Sequence, residues 1–192
     1  MHLIYHWLFP IVWWSFAAYW FIAAFWARKI KIPEPPIVRF SYHALGWVAV
    51  AILAFHDHLG PLGFPLWPRS EITFWLGAAL LLAGLGFAVW ARTHIGQFWS
   101  SSVAVKEDHR LIRSGPYALV RHPIYTGILT GLLGTAVALG QVNGLIALAI
   151  FYGIFQWKSR REEGLMIQTF GDEYLEYRRQ VPAFVPFLPG KS

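Results

Sequence analysis

A chain of 192 residues that is 56% hydrophobic and only 14% charged is too apolar for an ordinary soluble domain, which carries about 25% charged residues. Its net charge of +6 would suit nucleic acid, but the cations flank apolar stretches, so membrane topology accounts for them and no nucleic-acid partner is expected. The absence of cysteine excludes disulfides, thiolate catalysis and cysteine-ligated metals.

Trp7 to Ala27 reads as a first membrane span, about 20 apolar residues long and closed by Arg28, Lys29 and Lys31. Pro33, Pro35 and Pro36 prevent it from continuing. No Lys or Arg precedes it, so a cleavable signal peptide is not expected. His43 to Leu59 is a weaker second span, with His56, Asp57 and His58 at its far end. Adjacent positions on a helix point their side chains apart, so these three read as interfacial polar residues and no metal site is expected. Gly60 to Pro68 is a turn region. Ile72 to Ala91 is the third span, in which Gly77, Gly84 and Gly86 form a small-residue surface for close helix contact. Gly84 and Gly86 do not make a dinucleotide motif, because no strand precedes them and the third glycine is missing.

Arg92 to Arg121 is polar and too long for a simple turn. Ile124 to Leu139 and Leu145 to Trp157 are the fourth and fifth spans. They read as a helical hairpin joined at Gln141 to Gly144, with Gly127, Gly131 and Gly134 letting the arms pack closely. Ser159 to Gln180 reads as an amphipathic helix with a stripe of Met166, Phe170, Tyr174 and Tyr177. Pro182, Pro186 and Pro189 end regular structure. No internal repeat appears. The expected fold is therefore all-α: one polytopic membrane domain over 1–192, with about five transmembrane helices and a C-terminal amphipathic cytoplasmic helix. Three spans occupy 1–91 and a catalytic half occupies 92–192. With the N-terminus outside, fifteen of the sixteen Lys and Arg residues fall on the cytoplasmic side, and only Arg69 falls outside.

Two polar clusters interrupt the apolar pattern. The first, His109 to Gly127, reads HRLIRSGPYALVRHPIYTG. Pro123 restricts His122 to extended backbone and suits the first turn of a helix. A helix start beside Arg121 is a good anion site. The second cluster runs from Lys158 to Glu163. Carboxylates beside a cytoplasmic membrane face meet anionic lipids, so Glu162 and Glu163 need partners there. Either Arg160 and Arg161 supply ordinary surface pairs, or one carboxylate turns inward to bind a hydroxyl or a cation. Both clusters are expected to meet at one site.

The stretch RSGPYALVRHPIYTG, followed by REEGLMIQTFGDEYLEYRRQVPAFVPF, resembles the isoprenylcysteine carboxyl methyltransferase family. The wider group includes membrane phospholipid N-methyltransferases. The resemblance spans roughly Gly96 to Pro189. It implies S-adenosyl-L-methionine as methyl donor and S-adenosyl-L-homocysteine as product, bound without a soluble nucleotide fold. It implies cofactor contacts at His109, Arg110, Leu111, Ile112, Tyr117, Arg121, His122, Pro123, Ile124, Tyr125 and Glu162. It also implies a glutamate and an arginine facing a lipophilic or lipidated acceptor. Glu163 and Glu162 fit the first role, and Lys158, Arg160 and Arg161 are candidates for the second. Ser100 to Ser102 departs from the family's polar pattern. Three rival readings stand beside isoprenylcysteine-type carboxyl methylation. They are methylation of a phospholipid amine, NADPH-dependent reduction of the sterol-reductase type, and a non-catalytic membrane scaffold.

Overall fold

Apolar length sets the elements. The computed structural model describes residues 2–25, 35–55, 60–96, 99 and 111–187. In chain order these form α1 (His2–Ala24), α2 (Pro36–Ala54), α3 (Glu71–Ile95), the single turn α4 (Pro116–Leu119), α5 (Pro123–Leu139), α6 (Val142–Phe170) and α7 (Asp172–Gln180). Among the described residues no strand forms, and one isolated bridge joins Pro65 to Gln141. Helices α1, α2 and α3 are each long and apolar enough to cross a membrane, and α5 is a shorter apolar helix. The protein is an all-α integral membrane protein.

Several boundaries differ from the sequence reading. The second span begins at Pro36, not His43. Pro35 and Pro36 start α2, as its N-cap and N1 residues, where a missing N–H costs nothing, and Pro33 lies outside the described residues. The fifth span and the first part of the amphipathic segment are one 29-residue helix, α6. Gly171, at φ 55°, ends it and redirects the chain into α7. The stripe from Met166 to Tyr177 is therefore split between two helices. The hairpin turn is tighter than expected: Gly140 and Gln141 suffice, and α6 begins at Val142. His56, Asp57 and His58 lie outside the described residues.

Contacts fix the directions. Phe9 meets Phe74 while Arg92 reaches the Ala23 carbonyl, so α1 and α3 run the same way. Tyr42 meets Trp157 while Asn143 reaches the Ile52 carbonyl, so α2 opposes α6. One end of the bundle thus gathers the C-terminal parts of α1, α3 and α6 with the N-termini of α2 and α5.

The closest packing is between α3 and α5. A Cβ on Gly77 would lie 2.4 Å from the Gly134 carbonyl oxygen, and one on Gly134 would lie 2.4 Å from that of Gly77. Gly84 and Gly127 repeat this reciprocal approach at 2.5 and 2.4 Å. The expected role of Gly127, Gly131 and Gly134 in the hairpin is thereby corrected. All three face α3, and the hairpin itself closes where Gly144 meets Ala136. Gly86 faces open space and takes no part.

At the far end, Trp67 Nε1 and Arg69 Nε donate to Val137 and Leu139, the last carbonyls of α5, each at 3.0 Å. At the near end, Arg92 is buried. It donates to Ala23 O at 2.6 Å and Gly96 O at 2.7 Å, and it stacks on Trp99 at 4.4 Å. Both acceptors sit at helix C-termini, where carbonyls lack helical partners and a cation is favoured.

Candidate active site

His122 is the N-cap of α5 and Pro123 its N1 residue, as the His-Pro pair dictates. That geometry holds Arg121 and His122 against α6 where its apolar part gives way to charge. There Arg121 Nε and Nη2 donate to Glu163 Oε1 at 2.9 and 2.8 Å. His122 Nε2 lies 3.0 Å from the same oxygen. His122 Nδ1 lies 3.5 Å from Glu162 Oε2, and the Tyr125 hydroxyl donates to Glu162 Oε1. The anion beside the start of α5 is therefore the protein's own Glu163, and both glutamates turn inward. The side chain of Glu163 is 13% exposed and that of Glu162 is 27% exposed, so Glu162 keeps the more open edge.

Electrostatics follow from this pairing. Burial opposes charge on Glu163. The hydrogen bond and charge of His122, then those of Arg121, outweigh it and hold the carboxyl below its ordinary 4.5. Glu162 is lowered in the same way, against burial, chiefly by His122 and Lys158. Burial favours neutral His122, but its hydrogen bonds to the Glu162 and Glu163 carboxylates raise it above its ordinary 6.5. Burial and then Glu162 push the Tyr117 phenol far up, so it stays neutral.

Aromatic rings wall the cluster. His122 stacks against Tyr125 at 5.6 Å and Phe184 at 5.5 Å, and those two rings lie 6.5 Å from each other. Tyr125 stacks on Phe155 at 4.5 Å. Lys158 Nζ stands 4.7 Å over the Tyr42 ring and 5.6 Å over Tyr125, one turn before Glu162. The buried Tyr177 hydroxyl donates to the Tyr117 carbonyl at 2.6 Å, tying α7 to α4.

The structure thus gathers Arg121, His122, Tyr125, Glu162 and Glu163. Tyr117 and Pro123 are buried beside them, Leu111, Ile112 and Ile124 are half-buried, and Arg160 is exposed. Arg161 is half-buried. His109, Arg110 and Ser100 to Ser102 lie outside the described residues. Reasoning from sequence missed Arg178, whose Nε is buried without a hydrogen-bond partner, 3.6 Å from Glu163 Oε2. It also missed Tyr42 and Phe184. The signals were present: Arg178 directly follows Tyr177, and Phe184 is an aromatic stranded in a proline-rich tail.

The donor set suits an S-adenosylmethionine-like ligand, which carries an ammonium, a carboxylate, a sulfonium and a flat base. Glu162 offers an open carboxylate edge and Arg178 an unused buried N–H. The rings around His122 offer faces to a cation or a base.

Comparison with known proteins places the chain in a family. A family model described as phospholipid methyltransferase matches residues 72–173, more than half of the chain. The protein-S-isoprenylcysteine O-methyltransferase of Schizosaccharomyces pombe is 38% identical over 102 residues, covering 52% of this chain and 43% of that protein. Those of Rattus norvegicus and Homo sapiens are 34% and 35% identical, each match covering 65% of this chain and 46% of the relative. The chain therefore spans about half the length of the curated relatives it matches. A solved structure of the eukaryotic intramembrane Ras methyltransferase, an isoprenylcysteine carboxyl methyltransferase, superposes with a TM-score of 0.53 at 22% identity. It covers 84% of this chain and 56% of that one, and so shares the fold. The chain belongs to the phospholipid methyltransferase family, and within it is similar to the isoprenylcysteine carboxyl methyltransferases.

Proposed function

We propose that this protein is an S-adenosylmethionine-dependent methyltransferase whose acceptor is a lipophilic molecule bearing an isoprenylcysteine-type carboxylate. The observation that carries this reading is the buried Arg121–His122–Glu163 cluster set between a polar rim and a lipid-facing bundle. The site faces the cytoplasm in this reading, because fifteen of sixteen cations then lie inside. The half from Arg92 to Ser192 supplies the chemistry, and the half before it supplies spans that pack against it.

When bound, S-adenosylmethionine supplies a methyl group already activated by the sulfonium, so the protein's task is alignment and exclusion of water. Glu162 pairs with the donor's cationic groups, and Arg178 with its carboxylate. Tyr117, Tyr125 and His122 line the donor's side, with His109, Arg110, Leu111, Ile112, Pro123 and Ile124 flanking it. Arg121 and His122 hold Glu163 in place. Lys158, over the rings of Tyr42 and Tyr125, receives the acceptor's carboxylate where α2 meets α6.

The electrostatics favour a carboxylate over a phospholipid amine. A carboxylate is already ionised near pH 7, whereas an amine must lose a proton to a base. Glu163 is held below its usual range, which makes it a weaker base toward that proton than an ordinary carboxylate.

Calorimetric titration of the detergent-purified protein with S-adenosylhomocysteine, with NADPH in parallel, tests the class. Binding of S-adenosylhomocysteine that is lost in Arg121→Ala is the expected result. Binding of NADPH alone would replace this reading with a reductase, and binding of neither by folded protein would leave a scaffold.

A further inference from the structure

The tail after α7 is bound at its base and bare at its tip. Its base pairs with the residues that hold Glu163. The backbone N–H groups of Arg121 and His122 donate to Pro182 O at 2.8 Å and Ala183 O at 3.0 Å. Arg121 Nη1 donates to Val181 O and, at 3.1 Å, to Arg178 O. Thr126 Oγ1 donates to Phe184 O at 2.8 Å. Phe184 is buried, stacks on His122, and meets the Tyr152 ring at 6.2 Å. Tyr152 lies ten residues before Glu162 on α6, about 15 Å along the helix axis. It belongs to the apolar stretch and is half exposed on the outside of the bundle. The tail therefore dips from the charged rim to the depth of the apolar helix surface.

Just beyond Phe184, the chain exposes what water disfavours. Phe187 is 95% exposed and Val185 is 55% exposed. Phe187 also has φ 66°, the left-handed region that a bulky residue rarely adopts. A bare aromatic on a tail anchored against the apolar part of α6 fits the bilayer interface, where aromatic rings are favoured. Phe187 lies three residues beyond Phe184, whose buried ring meets Tyr152 on the apolar part of α6.

We infer that Val181–Phe187 is a membrane-seated strap: Val185 and Phe187 insert into the lipid interface, and Phe184 and the tail carbonyls thereby position Arg121 and His122. Phe184 acts as a positioning residue, holding the His122 ring and shielding the cluster on its lipid side. Lipid at the tip then sets the geometry of the charged cluster. The coupling rests on the methyl-transfer reading of the site.

The absence of cysteine gives a direct test. Phe187→Cys, labelled with an environment-sensitive fluorophore, is reconstituted in phosphatidylcholine vesicles with or without brominated acyl chains. Gln168→Cys, exposed on the polar part of α6, is the control. Strong quenching by brominated lipid at 187 but not at 168 is expected, and equal quenching at both positions would overturn the seating. In the same vesicles, Val185→Ser/Phe187→Ser should lower kcat about tenfold with the KM for S-adenosylmethionine unchanged, since small misplacements of a catalytic array are costly. Phe187→Trp should restore turnover. Wild-type kcat in the double-serine variant would overturn the coupling even if the probe is quenched. If the wild-type chain transfers no methyl group to any isoprenylcysteine acceptor, the methyl-transfer reading falls, and the quenching still decides the seating.

Discussion

Arg121 grips Glu163 by one carboxylate oxygen: its Nε and Nη2 both converge on Oε1, at 2.9 and 2.8 Å. His122 Nε2 adds a third contact to that oxygen at 3.0 Å. Oε2 is left toward Arg178 Nε at 3.6 Å. Oε1 is thus fully engaged, and Oε2 faces a cation without a hydrogen bond.

Removing that carboxylate separates stability from function. Glu163→Ala leaves the Arg121 guanidinium buried without its counter-charge, which costs about 3 kcal/mol. Glu163→Gln keeps an oxygen for the three donors and should retain most of the thermal stability, yet lose turnover. Thermal unfolding and a methyl-transfer assay, run side by side, check this. Wild-type turnover by folded Glu163→Gln would remove Glu163 from the site.

Stability should peak in mildly acidic solution. Glu163 is depressed in the fold, so its contribution is fully present above its ordinary 4.5 and is lost as pH falls through the lowered value. His122 is raised, so its contribution is fully present below its ordinary 6.5 and is lost as pH rises through the raised value. The two overlap between 4.5 and 6.5. Melting temperature measured against pH in detergent should be highest there, and His122→Gln should remove the alkaline limb and also weaken the acid limb, because His122 is the main group holding Glu163 low.

The glycine pairs should be the least tolerant positions in the bundle. Gly84→Ala or Gly127→Ala puts a methyl group 2.5 or 2.4 Å from a facing carbonyl oxygen. The helices must separate, at about 2 to 3 kcal/mol. Gly86→Ala meets nothing within 4 Å and should stay within about 1 kcal/mol of wild type. Thermal unfolding of the three variants in one detergent compares them directly.

Arg92 should be irreplaceable by lysine. Its fork reaches Ala23 O and Gly96 O at once while lying on Trp99. A single ammonium cannot reproduce that geometry. Arg92→Lys should cost about 2 kcal/mol, the scale of a hydrogen bond from a charged group. Chemical denaturation followed by tryptophan fluorescence would report it.

Lys158→Gln should discriminate between acceptors. For a carboxylate acceptor, KM should rise about tenfold, equivalent to about 1.4 kcal/mol, with the KM for the donor unchanged. Equal KM values for wild type and variant would take Lys158 out of acceptor binding.

The sequence by itself determined the membrane class, the all-α fold and the residues of the charged cluster. Apolar run length and the period-free greasiness of the spans are local properties, legible without a partner. So is the constraint that Pro123 places on His122, which fixed the start of α5. Tertiary structure decided which surfaces meet. Gly127, Gly131 and Gly134 announce a close approach but do not say to what, and they face α3, not α6. Nothing local told α6 to run on through Glu163; its stop at Gly171 had a local signal, a glycine free to take φ 55°, which the amphipathic period running in phase on either side obscured. Arg178 and Phe184 joined the site only because the chain folds back after α7 and lays its tail on Arg121 and His122. Contacts between residues some sixty positions apart leave no periodic trace in a single sequence, since they are set by packing and not by local backbone preference.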